Sequence, residues 1–231
     1  MGEGGDAGGT LDEFHAVEAE LDRRWPESRL EPGLKRISAL VDLLGDPQRA
    51  FPVVHVAGTN GKTSVTRMID ALLTEAGLRT GRYTSPHLQR ATERISLDNH
   101  PISADRYVEV FREIEPYLEI VDSAAGSDQP RLSKFEVLTA MAFAAFADAP
   151  VEAAVVEVGL GGTWDATNVA DGVVSVVCPI GVITATVPSV TFVASHRPPR
   201  PTSTIPASTG ASANAANAIA VSTSNLLSGV S

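Results

Sequence analysis

Between Val53 and Thr66 the chain reads VVHVAGTNGKTSVT, and this stretch limits the possible folds more than any other. The apolar, β-branched run reads as a strand, Gly58 and Gly61 as a tight turn, and Lys62-Thr63-Ser64 as the first turn of a helix. A strand that passes through glycines directly into a helix is the repeating unit of an α/β sheet. The same residues carry a candidate chemistry. The backbone N–H groups of Gly58, Thr59, Asn60 and Gly61 are placed to converge on phosphate oxygens at a helix N-terminus. Lys62 reaches toward the outer phosphates, and Thr63 and Ser64 offer hydroxyls near a Mg2+ ion. The strict P-loop spacing is not met, because Val56 stands where the first glycine belongs. The strand before it and the helix after it are the context that the motif requires. A plain turn with an incidental lysine is the alternative.

The flanking pattern agrees with an α/β fold. TLDE at 10–13 has capping-box spacing, with Thr10 as N-cap of a helix that runs to about Arg24 and stops before Pro26. Further helices are expected at 34–44, 63–76, 104–121 and 134–147, and strands at 53–56, 79–84, 153–158 and 173–177. The last two are continuous β-branched or alanine-rich runs, as in strands buried on both faces of a parallel sheet. The expected architecture is therefore a mostly parallel sheet flanked by helices.

After Gly181 the pattern fails. No Asp, Glu or Lys occurs from Val182 onward, and 30 of the 49 residues at 183–231 are Ser, Thr, Ala or Pro. Such a segment has little apolar periodicity from which to build a core, so 182–231 is expected to be a disordered tail. Residues 1–9 read as a flexible leader, leaving 10–181 as the folded domain. A sheet that stops there would leave 173–177 as an unpaired edge.

The formal net charge of -10 argues against a nucleic-acid surface. Cys178 is the only cysteine, so no intrachain disulfide forms and a reducing compartment is the natural setting. MGEGGDAGG lacks the features of a secretory signal, and no run of about 18 apolar residues would span a membrane. A cytoplasmic monomer is expected. His55 reads as a satisfied core histidine, Cys178 as a small core residue and the acidic helix 105–119 as a solvated face. His87 either lines a site or orders its loop.

Several motifs point to one family. AGTNGKTS resembles the ATP-binding loop of the Mur ligase superfamily. PGLKRI at 32–37, YTSPHL at 83–88, ERIS at 93–96, LSKFEVLTAMAF at 132–143 and EVGLGGTWDATN at 157–168 resemble its folate branch. That branch is dihydrofolate synthase/folylpolyglutamate synthase. The resemblance implies a Mur-ligase-like ATP-binding domain at 10–181, incomplete, and an ATP-dependent amide ligase. The family converts a dihydropteroate or folate carboxylate to an acyl phosphate, which L-glutamate then attacks. The resemblance further implies that Lys62 is catalytic, that residues 58–64 bind ATP and that Ser85 and Glu157 ligate Mg2+. It places Leu132, Ser133, Lys134 and Phe135, with Trp164, Asp165 and Ala166, against the pterin or folate. Phosphoryl transfer of this kind needs charge neutralisation and positioning more than covalent help.

Two departures stand out. Thr163 occupies a place where the family usually has Arg. After PIG at 179–181 the family's Asp-His pair, later lysine and second α/β domain have no counterpart, and VITATVPSV follows instead. The expectation is that the tail arises from a shifted or wrongly joined reading frame, which translation of all three frames past Gly181 tests. The chain by itself is expected to have negligible ligase activity. Another Mur-type ligase, or a non-catalytic nucleotide- or pterin-binding remnant, is the alternative.

Overall fold

The computed structural model describes residues 7–24, 33–125, 130–182, 185–186 and 191–194. Its helices are α1 (Ala7–Asp22), α2 (Lys35–Leu43), α3 (Lys62–Glu75), α4 (Ala104–Ala124) and α5 (Lys134–Asp148). Its strands are β1 (Val53–Ala57), β2 (Thr80–Tyr83), β3 (Ile95–Leu97), β4 (His100–Pro101), β5 (Ala153–Glu157), β6 (Gly172–Val177), β7 (Gly181–Val182), β8 (Ala185–Thr186) and β9 (Thr191–Ala194).

Seven strands form one sheet in the order β4-β3-β2-β5-β1-β6-β9, and β7 pairs with β8 separately. The four central strands are parallel, with β5 slotted between β2 and β1. Strands β3, β4 and β9 run antiparallel at the two sides. All four parallel strands therefore end on the same edge of the sheet, where α/β proteins hold their ligands.

The faces of the sheet are covered unequally. Helices α1, α2, α4 and α5 build the larger core on one side, and α3 covers the smaller cluster around Val54, Val56, Val155 and Val176 on the other. Helix α5 (KFEVLTAMAFAAFAD) is apolar nearly all round and is buried nearly all round, sandwiched between the sheet and the outer helices. Its close seat on β2 requires Gly81, since a Cβ there would lie 2.6 Å from the Phe146 ring.

Most expected elements are present within a few residues of their expected bounds, and there are three differences. First, α1 begins at Ala7, so Thr10 lies inside the helix and does not cap it. Phe14, Val17 and Leu21 bury one face of α1, with Phe14 edge-on to Tyr107 of α4 at 5.2 Å; this packing lies beyond Thr10 and does not account for the extra turn before it. Residues 7–9 therefore belong to α1, and of the leader only 1–6 lie outside the described residues. Second, the sequence reading missed the β3–β4 hairpin. Asp98 and Asn99, both with positive φ (47° and 67°), form its turn. Third, β6 is not an edge: β9 pairs with it from Val174↔Ala194 to Val177↔Thr191. The TFVA run has the β-branched and aromatic residues that suit a strand, and pairing satisfies β6's outer backbone groups. Apart from β7, β8 and β9, the expected disordered tail lies outside the described residues.

Candidate functional site

β1 leads into Gly58 and Gly61, whose φ values of 136° and 79° are positive, and Gly61 stands at the N-terminus of α3. Gly58 is required by contact as well as by dihedral. A Cβ on it would lie 2.7 Å from Cys178 Cβ and 2.8 Å from the Cys178 carbonyl oxygen. The loop is thus pressed against the end of β6, and the Cys178 N–H donates to the Ala57 carbonyl at 2.7 Å. The Thr59 and Asn60 amides both donate to the Pro179 carbonyl, at 3.0 and 3.2 Å. Lys62, Thr63 and Ser64 follow in the first turn of α3, where the helix dipole and unpaired N–H groups favour an anion.

Thr63 faces Glu157, the last residue of β5, and its hydroxyl lies 3.0 Å from each carboxylate oxygen. Glu157 is almost fully buried. Burial pushes its carboxyl above the ordinary range, while the Thr63 hydroxyl, the Lys62 charge and the Ser85 backbone N–H pull it back. Ser85 is also buried and follows β2, with a cis bond to Pro86. The ends of β1, β2 and β5 therefore bring Lys62, Thr63, Ser85 and Glu157 together. Among the described residues no group of three His, Cys, Asp or Glu could hold a metal ion. One buried carboxylate with hydroxyl oxygens nevertheless suits Mg2+, which takes few protein ligands and fills its shell with water and phosphate. A carboxylate raised by burial is the group that a cation would stabilise.

The second candidate set has a more structural character. Asp165 spends both oxygens on its own loop. One accepts from the Leu160 and Gly161 amides at 2.9 and 3.0 Å, and the other from the Thr167 amide and hydroxyl at 3.0 and 2.6 Å. The Thr167 hydroxyl, whose proton goes to Asp165, also lies 2.7 Å from His55 Nε2. His55 must therefore donate from Nε2; burial, opposed by the Asp165 charge, lowers its pKa, and the ring is half-buried and held by Thr167. Ala166 is buried, while Trp164 is 42% exposed and lies over Gly162, where a Cβ would come within 2.7 Å of its ring.

At the start of α5, Leu132 is fully buried and Ser133 is an N-cap in a capping box with Glu136, which also binds Arg36 of α2 at 3.2 Å. Lys134 pairs with Asp22 of α1. Phe135 is buried between Tyr83 and Gly159; a Cβ on Gly159 would lie 2.5 Å from its ring. Phe135 thus touches the same glycine loop that presents Trp164.

His87 accepts a 2.9 Å hydrogen bond from Arg94 Nε, and burial followed by the Arg94 charge lowers its pKa. Half-buried Glu93 gathers the Leu88, Gln89 and Arg90 amides, which hold its carboxyl below the ordinary range. Sequence reasoning missed Pro179, Asp70 and Arg82. The last two form a buried ion pair at 2.7 Å between α3 and β2. A polar stripe at Thr63, Thr66 and Asp70 on α3 was the available signal.

A parallel sheet whose first strand runs through a glycine loop into a Lys-Thr helix, with a carboxylate at the end of the adjacent strand β5, defines a P-loop-type α/β protein. No family model matches the chain. A dihydrofolate synthase/folylpolyglutamate synthase of Mycobacterium tuberculosis is 62% identical over 170 residues, covering 72% of this chain and 35% of the relative. The solved structure of M. tuberculosis folylpolyglutamate synthase complexed with ADP superposes with a TM-score of 0.71 at 59% identity, over 75% of this chain and 38% of that one. A bifunctional folylpolyglutamate synthase/dihydrofolate synthase of Yersinia pestis complexed with AMPPNP and Mn ion gives 0.61 at 34% identity, over 71% and 38%. The chain belongs to the dihydrofolate synthase/folylpolyglutamate synthase family, and it spans about a third of the length of these relatives. Among the described residues no helix is long and apolar enough to cross a membrane.

Proposed function

We propose that this chain carries the nucleotide- and metal-binding part of an ATP-dependent carboxylate–amine ligase. Its reaction adds L-glutamate to dihydropteroate or a folate through an acyl phosphate. The convergence of Lys62, Thr63, Ser85 and Glu157 beside the glycine loop carries this reading, and the ADP and the AMPPNP–Mn complexes of its relatives agree with it.

In this reading residues 58–64 bind ATP. Lys62 and the first turn of α3 hold the negative charge of the outer phosphates, and fixed donors there need no rearrangement as that charge shifts. Thr63, Ser85 and Glu157 would hold a divalent cation, Mg2+, which supplies further charge neutralisation when bound. The exposed Trp164 ring offers a stacking face for the pterin, and Asp165 and Ala166 hold that loop in place. At the start of α5, Ser133 and Lys134 are partly exposed and belong to this second set, with Leu132 and Phe135 buried beneath them and Phe135 against Gly159. The protein acts as a cytoplasmic monomer and engages neither nucleic acid nor membrane.

Isothermal titration of the purified chain with ATP, with Mg2+ and then with EDTA, tests the reading. Mg2+ is expected to tighten binding, and Glu157→Gln to remove that gain while leaving metal-free ATP binding in place. ATP binding that ignores both Mg2+ and Glu157 would sink the assignment.

A further inference from the structure

We propose that Asp70 and Arg82 are positioning residues for the candidate metal site, an inference that rests on the function proposed above. Their ion pair ties the middle of α3, two turns beyond the Lys62 and Thr63 that begin it, to β2, which leads to Ser85.

The placement follows from two periodicities. Asp70 stands seven residues after Thr63, two helical turns along the same face of α3, and is fully buried. Arg82 alternates with Tyr83 on β2. Tyr83 turns toward Phe135 of α5, so Arg82 turns to the α3 side. Its guanidinium then spans three elements. Nη1 donates to Asp70 Oδ2 at 2.7 Å and to Asn99 Oδ1 at 3.4 Å, and Nη2 donates to Ser96 Oγ at 2.8 Å. Ser96 is the β3 residue registered opposite Arg82, and Asn99 lies in the β3–β4 turn.

Elsewhere on this face α3 is held by the Thr63 hydroxyl on Glu157, by a 2.9 Å contact between the Thr74 and Thr80 hydroxyls, and by apolar packing through Val65, Ile69 and Leu73, which by itself permits sliding and rotation. The charged hydrogen bonds are directional and fix one register. Three residues beyond Arg82, the Ser85 N–H meets Glu157, which also meets Thr63. The two halves of the site thus hang on two elements that this pair joins.

Stability alone is a poor reason for the pair. Asp70 Oδ1 and Arg82 Nε are buried with no hydrogen-bond partner. Burial raises the carboxyl and lowers the guanidinium from their ordinary values, each against the pull of the other's charge. Apolar residues of similar size fill such a site as well or better, without fixing an angle.

The test is the double variant Asp70→Leu/Arg82→Met, in which no uncompensated charge remains. It is expected to unfold at or above the wild-type temperature. Amide hydrogen exchange read by NMR at Ser85 should accelerate about tenfold or more, with exchange at Val155 in the neighbouring core unchanged. The Mg2+-dependent gain in ATP affinity should fall about tenfold or more, because a site loosened by even one ångström loses its grip on a hard cation.

Arg82→Lys serves as the second variant should the double one not fold. It keeps the charge facing Asp70 but cannot reach Ser96 and Asn99 at once, so Ser85 exchange should accelerate several-fold with Val155 again unchanged. Wild-type exchange at Ser85 in either folded variant overturns the proposal, as does equal acceleration at Ser85 and Val155, which marks general loosening. A wild-type chain that shows no Mg2+ gain sinks the function proposed above, and the exchange measurement still decides this inference.

Discussion

Gly58→Ala is the substitution whose cost the structure specifies most closely. The new Cβ meets two obstacles. Its φ of 136° lies outside the left-handed basin that L-residues tolerate, which costs about 1–3 kcal/mol. Its position, 2.7 Å from Cys178 Cβ and 2.8 Å from the Cys178 carbonyl oxygen, forces the end of β6 away and costs a further ~1–3 kcal/mol. A loss of about 2–6 kcal/mol is therefore expected, against a total of about 5–15 kcal/mol for an ordinary domain. Gly61→Ala supplies the contrast. Its φ of 79° is nearer that basin and nothing lies within 4 Å of the added atom, so its cost should stay at about 1–2 kcal/mol. Urea unfolding followed by far-ultraviolet circular dichroism measures both, provided that the slope is unchanged. Cys178→Gly in the Gly58→Ala chain should recover the part due to the Cβ contact and leave the part due to the carbonyl. The reasoning fails if Gly58→Ala costs less than Gly61→Ala, or less than about 1 kcal/mol.

Three further expectations concern neighbouring parts. Because burial raises the Glu157 carboxyl, its contribution to stability is present below the unfolded-state value and declines as pH rises through the folded one. In metal-free buffer the thermal stability of Glu157→Gln should therefore gain on the wild type as pH rises above the ordinary carboxyl range of about 4, and parallel curves would count against the raised carboxyl. Asp165→Ala should cost about 2–4 kcal/mol in urea unfolding, since it leaves three amides and the Thr167 hydroxyl without their acceptor. Gly81→Ala should lose about 1–3 kcal/mol to the Phe146 ring, and Phe146→Leu in the same chain should recover part of it; simple additivity in that cycle would refute the contact.

The parallel core was legible because its strands are continuous β-branched or alanine-rich runs, and α5 because no polar face interrupts it. Periodicity was a poorer guide to α3. Apolar residues at 65, 68, 69 and 72 suggest an inward stripe, yet Met68 is 64% and Leu72 51% exposed, while Thr66 and Asp70 are buried. The partner of Asp70 lies on β2, and no local pattern announces an ion pair across a crossover. Thr10 offered capping-box spacing, but the helix begins three residues earlier. Within the site, the glycines and Lys62 could be read directly, because the loop's chemistry is local. The double use of Glu157 by Thr63 and Ser85 depends on β5 entering between β1 and β2, which is a fact of topology. The roles of Ser133 and Asp165 as anchors for their own backbone became visible only with distances in hand.

The Pro179 carbonyl, which accepts from both Thr59 and Asn60, has a consequence for how the loop waits for its ligand. That oxygen satisfies two N–H groups of the glycine loop, at 3.0 and 3.2 Å, that would otherwise need another acceptor. Thr59 and Asn60 are also two of the donors that the proposed phosphate site calls for, so a phosphate that took both would have to part them from this carbonyl. The loop and the chain after β6 are thus joined at adjacent points: the Cys178 N–H on the Ala57 carbonyl, Gly58 against Cys178, and the Pro179 carbonyl on Thr59 and Asn60.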